Sequence, residues 1–278
     1  MNWPPYELHA DIFLAFASLW AVYMYAWRRH TQAGAVEADR RKRVTLFTFG
    51  VATLLAATVW PLHELSDGKL YGAHMVQHML YQLAAAPLLL TGTPAWMWRA
   101  ILRPRWVMST WRAVTRPVFA LLLFDGVLLV SHWPAFSTAV VASEPLHLAL
   151  HVVLVVSAVI MWWPVFSPLP EAPAVAPPLQ MMYLFVVWIL PMLPATFMEF
   201  ASHPMYTAYD PSSIVPGLSM VSDQRVAGLL MNVGGTMILW GFITYIFFHW
   251  YSEEQRSGWD ALEHQGLERD VRAGMSGS

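Results

Sequence analysis

Cysteine is absent from the 278 residues, and charged side chains make up only 12% of them. Without thiols the chain can form no disulfide, thiolate metal site or cysteine nucleophile, so any soft ligand must come from its 16 methionines. A formal net charge of -2 leaves no electrostatic footprint for nucleic acid. The opening Met1-Asn2-Trp3-Pro4-Pro5-Tyr6-Glu7 lacks the positive region of a cleavable signal peptide, so the first apolar stretch is expected to stay in the mature protein. Apolar residues take the place of charge. The chain is 57% hydrophobic with a mean hydropathy of +0.44, which is the balance of an integral membrane protein.

A helical span needs about 20 apolar residues, and seven segments approach that length. The expected fold class is all-α: a polytopic bundle of seven transmembrane helices over residues 1–251, followed by a polar cytoplasmic tail, 252–278, that reads as solvated and partly disordered. Fourteen of the 16 Lys and Arg residues fall in three segments: Arg28 to Arg43, Arg99 to Arg116, and the tail. By the positive-inside rule these face the cytoplasm, which puts the N-terminus outside and the C-terminus inside. The fourth span, about Pro117 to His132, is short and is expected to begin nearer Trp111, with Trp133 to Ser143 as an outer loop. The fifth opens at Glu144-Pro145, with proline in its first turn. Pro191 and Pro194 should bend the sixth. A stiff connector, Val165 to Pro178, precedes it.

The stretch that organises the chain is Tyr71-Gly72-Ala73-His74-Met75-Val76-Gln77-His78-Met79, which enters the third span. His74 and His78 are four residues apart, so they share a helical face and can share an ion. His147 and His151 repeat the spacing in the fifth span. In this layout the third, fifth and seventh spans all enter from outside, and at about 1.5 Å per residue His78 lies roughly 10 Å below Tyr71 and His151 roughly 9 Å below Pro145, so both pairs sit just inside the outer interface. His63 ends the second span and His132 the fourth, at the same level. Eight of the 11 histidines, His9 and His203 included, fall in the outer half. Intramembrane polar clusters are costly and are usually functional. The candidate metal ligands are therefore His74, His78, His147 and His151, with His63 and His132 in reserve.

A histidine-rich site with Met75, Met79, Met198 and Met220 nearby and few carboxylates suits copper, as Cu(I) or Cu(II), with zinc also admitted. Met79 is the auxiliary ligand of interest, although methionine is as readily plain packing. Asp125 lies nearly two turns before His132 and either orients it, carries a proton or bonds to a neighbouring Ser or Thr. Asp223 either ligates, steers cations or caps its own helix. Glu199, at the outer end of the sixth span, is either ligand or interface charge. Gly228, Gly234 and Gly235 suit close helix packing. A membrane di-iron oxygenase or hydroxylase also uses HxxxH pairs, but its additional HxxHH clusters are missing here. Two stacked haems would need wider histidine spacing.

Several of these fragments, in order, resemble the CtaG-type membrane proteins required for assembly of caa-type cytochrome c oxidase. They are His74-Met75-Val76-Gln77-His78-Met79 continuing to Ala86-Pro87-Leu88-Leu89, Glu144-Pro145-Leu146-His147 with His151, Trp162-Trp163-Pro164, and Asp223-Gln224 with Ala227-Gly228. The resemblance implies a seven-span assembly factor, not an enzyme, that helps furnish copper to the Cu-B centre of oxidase subunit I. It also implies a multi-pass protein of the bacterial plasma membrane in the respiratory chain. Expected partners are subunit I, a copper donor and the lipid bilayer, with a homo-oligomer left open. Cysteine-bearing single-span copper chaperones that share the name are excluded by composition.

Overall fold

The computed structural model describes residues 3–6, 9–34 and 37–276, with side chains placed as far as Arg256. Met1, Asn2 and Glu7 of the opening stretch lie outside the described residues, as do Gly277 and Ser278 at the end of the tail. Every regular element among the described residues is helical. Among the described residues four helices are long and apolar enough to cross a membrane: α1 (Ala10–Gln32), Glu144–Phe166, Pro177–Glu199 and Met220–Arg256; a bent pair, Arg105–Val114 with Pro117–Ser131, makes a fifth if it counts as one span. Two further helical runs have comparable length. One, α2 (Arg40–Thr58), opens on Arg40-Arg41-Lys42-Arg43, and the other, over residues 71–92, is diluted by His74, Gln77, His78 and Gln82. Large apolar side chains point outward along the bundle, among them Leu14, Val22, Val118, Leu148 and Met237. That exterior suits hydrocarbon rather than water.

The run over residues 71–92 is the axis of the fold. It consists of α4 (Tyr71–Met79), a wide π turn (Leu80–Ala85) and α5 (Ala86–Gly92). It packs on α2, on α10 (Glu144–Phe166), and on α13 (Met220–Leu229), with α3 (Leu62–Ser66) across its start. A second π turn, Leu230–Gly234, separates α13 from α14 (Gly235–Ser276). Polar side chains inside the bundle are spent on backbone groups that helix ends and π turns leave open. Gln77, wholly buried, donates to the Ala57 carbonyl at 2.7 Å and accepts from Ser66 at 3.0 Å, tying α4 to α2 and α3. Trp162 Nε1 donates to the Gln82 carbonyl inside the π turn at 2.8 Å, and Trp163 Nε1 donates to Ala172 at 2.9 Å. The Trp162-Trp163-Pro164 motif is thus a pair of backbone fasteners.

Close approaches follow the small residues. A Cβ on Gly92 would stand 2.4 Å from the Phe47 nitrogen, and one on Gly228 2.6 Å from the Ala195 carbonyl oxygen, so larger residues would force α2 or the sixth span outward. The sixth span is broken as its prolines require, into α11 (Pro177–Ile189) and α12 (Met192–Glu199). Other boundaries differ from the sequence reading. The fourth span does not reach back to Trp111: α7 (Arg105–Val114) meets α8 (Pro117–Ser131) at 80°, because Arg116 is extended and Pro117 opens a new helix. The expected loop at 133–143 contains α9 (Pro134–Val141). Beyond Tyr251 the backbone continues as helix to Ser276, where the sequence suggested a disordered tail.

Candidate metal centre

The first two N–H groups of α4 have no partner in their own helix. Asp223 supplies one from across the bundle: its Oδ2 accepts from Tyr71 N at 2.6 Å and its Oδ1 from Gly72 N at 3.2 Å. Asp223 therefore does not cap its own helix. Helix α13 begins a turn earlier than the sequence suggested, and Ser219 is its cap, accepting from Ser222 N. Asp223 fixes the start of the helix that carries His74 and His78.

From that anchor the imidazoles gather. Ring centroids of His74 and His78 are 4.1 Å apart, and those of His147 and His151 4.5 Å. Across the two helices His74 lies 5.8 Å from His147, and His78 lies 5.7 Å from His151. His63 on α3 is 6.4 Å from His147, and His132, just past α8, is 6.4 Å from His78. All six histidines singled out in the sequence are ring neighbours contributed by four parts of the fold. His74, His78, His132 and His147 are each less than 10% exposed. Six nitrogens, His63 Nδ1, His74 Nδ1, both of His78, His147 Nε2 and His151 Nε2, are buried without a hydrogen-bond partner in the protein. Such atoms are costly to bury unless something binds them. Nitrogens about 2 Å from a shared ion place imidazole centres about 5–6 Å apart, which matches the spacing between the helices. Among the described residues no three His, Asp or Glu side chains converge as a finished cage.

His132 is the most constrained member. Its Nδ1 lies 2.7 Å from the Leu128 carbonyl oxygen, which can only accept, so Nδ1 carries the proton. In the neutral ring Nε2 then presents a lone pair, 3.4 Å from Met75 Sδ. This is a nitrogen and a thioether side by side, a borderline and a soft donor. The sulfur at the site therefore belongs to Met75. Met79 turns the other way, its Cε 2.9 Å from where a Gly234 Cβ would stand, and it lines a cavity with Trp188 and Phe124. Met198 is buried with Met75 and Tyr71 in the adjoining apolar cluster.

Asp125 does not orient His132. The histidine follows the last residue of α8, and its ring folds back onto its own helix at Leu128, leaving both buried carboxylate oxygens of Asp125 without a hydrogen-bond partner. No Ser or Thr meets them either. Glu199 accepts from Asn232 Nδ2 at 2.8 Å, joining α12 to the second π turn outside the histidine cluster.

Three contributors were not singled out as site residues in the sequence. His9 stands 5.3 Å from His63, and its Nε2 is 3.5 Å from the buried Glu64 carboxylate. Its place among the outer-half histidines was the available signal. Tyr206 and Tyr209, from the loop before α13, stack on or against Tyr71, and Tyr206 donates to the His132 carbonyl at 2.7 Å. Burial holds the His63 imidazole below its ordinary range, against the opposing pull of Asp67 and Glu64. Burial thus favours the neutral ring, the form that ligates. Two carboxylates border the cluster: Asp67, half exposed, is 4.0 Å from His147, and Glu64, buried, stands beside His9 and His63.

Residues 21–253 match a protein family described as cytochrome c oxidase caa3 assembly factor (Caa3_CtaG). Comparisons with curated proteins and with solved structures give no match.

Proposed function

We propose that the chain, which belongs to the cytochrome c oxidase caa3 assembly factor family, assists delivery of copper to the Cu-B centre of oxidase subunit I. The observation that carries this reading is the gathering of six imidazoles, with six unpartnered nitrogens, around the start of α4. Copper is the cargo. The ligand set is His74, His78, His147 and His151, with His63 and His132 at its two ends and Met75 as the adjoining soft donor. Cu(I) suits the thioether and Cu(II) the imidazoles alone; zinc would compete for the nitrogens.

The steps follow from proximity. His63, beside the partly exposed connection that holds Asp67, is the receiving end. Each imidazole has a neighbour within 6.4 Å, so the ion passes by ligand exchange and is never a bare cation in hydrocarbon. Release to subunit I is lateral, at a depth a soluble carrier does not reach. In this reading the protein is a seven-span, non-enzymatic factor of the bacterial plasma membrane, N-terminus outside and C-terminus inside, served by a separate copper donor. The runs at 40–58 and 71–92 supply the two spans that polar residues dilute. Function does not require a homo-oligomer, since one chain supplies the whole cluster.

The test is copper per haem in oxidase purified from cells carrying His78→Ala. The expected result is normal amounts of both proteins, haem in place, and an inactive oxidase one copper short. A normal ratio with full activity overturns the proposal.

A further inference from the structure

At the opposite, basic end of the bundle, α6 (Ala95–Ile101) and α7 enclose a cleft of about 410 Å³ lined by Arg99, Arg103, Arg105 and Arg112. Like charges collected around one concavity repel unless an anion joins them. Arg99 is already engaged, bonding both oxygens of Glu171 at 2.8 and 3.3 Å. Among the described residues no ion pair engages Arg103, Arg105 or Arg112. Their guanidinium groups are exposed at the cleft and free to bind.

The setting says what kind of anion. Helix α7 meets α8 at 80°; with α8 as the fourth span, α7 runs nearly parallel to the membrane surface. Its Val107, Met108 and Trp111 pack on the bundle core, while Arg105 and Arg112 flank that apolar stripe on the exposed side. That is the pattern of an interfacial amphipathic helix. Trp106, 75% exposed, and Ile101, 60% exposed, flank the arginines, and the buried Leu102 and the half-buried Met108 provide apolar wall to the cleft. An indole beside arginines at a membrane boundary is an interface anchor. Guanidinium groups match phosphate oxygens in pairs, and the apolar wall and flanks suit the glycerol and upper acyl carbons that follow a headgroup.

We propose that this cleft is a binding site for the phosphodiester headgroup of an anionic phospholipid, held by Arg103, Arg105 and Arg112, with Arg99 and Glu171 bounding one side. The site sits at the other end of the bundle from the histidines and does not depend on what they bind. Its consequence is positional: a lipid clamped at the bend of α7 and α8 fixes how deep α8 sits, and with it the level of His132.

The experiment uses the full-length protein exchanged into mixed micelles with defined lipid, lipid retention being read by native mass spectrometry and stability by thermal unfolding. Dioleoylphosphatidylglycerol is expected to be retained and to raise the unfolding temperature, while dioleoylphosphatidylcholine and inorganic phosphate leave both unchanged. Replacing Arg103, Arg105 and Arg112 by Gln should weaken phosphatidylglycerol retention by about fivefold for each charge removed. The same positions changed to Lys should restore part of it, and Arg40→Gln with Arg41→Gln, on another segment of that face, should leave it intact. Equal retention of phosphatidylcholine, or unchanged retention by the Gln variant, overturns the site. An equal response to inorganic phosphate overturns the lipid assignment.

Discussion

Asp223 reaches across the bundle to cap a helix that begins 152 residues earlier, its carboxylate accepting from the backbone N–H groups of Tyr71 and Gly72. The start of α4, and so the height of His74 and His78, is set by a residue on α13. The carboxylate also stands at the positive end of α4, where a negative charge is favoured.

Replacing Asp223 by Ala leaves those N–H groups unpartnered in a buried place. The expected loss is about 1–3 kcal/mol, measured as a lower unfolding temperature in detergent. Copper retention should fall with it, because His74 and His78 lose their fixed height. Asp223→Asn, which keeps an acceptor oxygen, should recover part of the stability. An Ala variant as stable as the parent would show that the cap is not needed.

Met75 and Met79 should separate cleanly. Met75→Leu removes the thioether beside His132 Nε2 and is expected to weaken Cu(I) binding, while Met79→Leu, which faces Gly234, leaves it unchanged. The swap nearly conserves volume, so stability should move by less than about 1.5 kcal/mol in either case. Competition with a chelator that binds Cu(I) reads the difference, and equal affinities in both variants would remove Met75 from the site.

The pH dependence has a definite sign. Burial lowers the His63 pKa from 6.5, so the imidazole reaches half protonation only at a pH below that value. Metal retention is expected to decline with a midpoint on the acid side of 6.5, as protons compete for the nitrogen. Stability follows the same direction: a histidine with a lowered folded pKa loses its contribution as pH falls below the unfolded value. Equilibrium dialysis across that interval tests it, and a decline centred above 6.5 would contradict it.

Trp162 supplies the partner for the Gln82 carbonyl in the first π turn. Trp162→Phe keeps one aromatic ring but loses the pyrrole ring with its N–H, so the buried carbonyl is left open at a cost of about 1–3 kcal/mol, with a further cost for the space vacated. Thermal unfolding should show that loss, and a variant without it would mean the carbonyl finds another donor.

The histidine pairs were legible in the sequence because spacing of four is a local property of a helix, and α4 and α10 both obey it. The helical class and the break at Pro191 were legible for the same reason. What escaped was relational. Asp223 reads as a cap for its own helix by any local rule, and only packing reveals that its partner is Tyr71. Asp125 and His132 share a helical phase, yet the helix ends at Ser131 and the histidine turns to Leu128. Met75 and Met79 are equivalent on paper, and they part because one faces His132 and the other Gly234 in the second π turn. The π turns left no compositional mark, since Leu80–Ala85 is as apolar as an ordinary helix.

A helix interrupted by a π turn is two helices that share an axis but not a phase. Above Leu80 the phase serves the histidines; below Ala85 it serves the contact of Gly92 with Phe47. The extra residue lets the two halves be dialled separately. Deleting one residue from the regular helix at 86–91 instead would rotate everything after it by about 100° relative to the histidines. Gly92 would swing away from Phe47, and a residue with a side chain would arrive where the Phe47 nitrogen leaves 2.4 Å. The chain could then keep its ligands in place or its helices in contact, but not both.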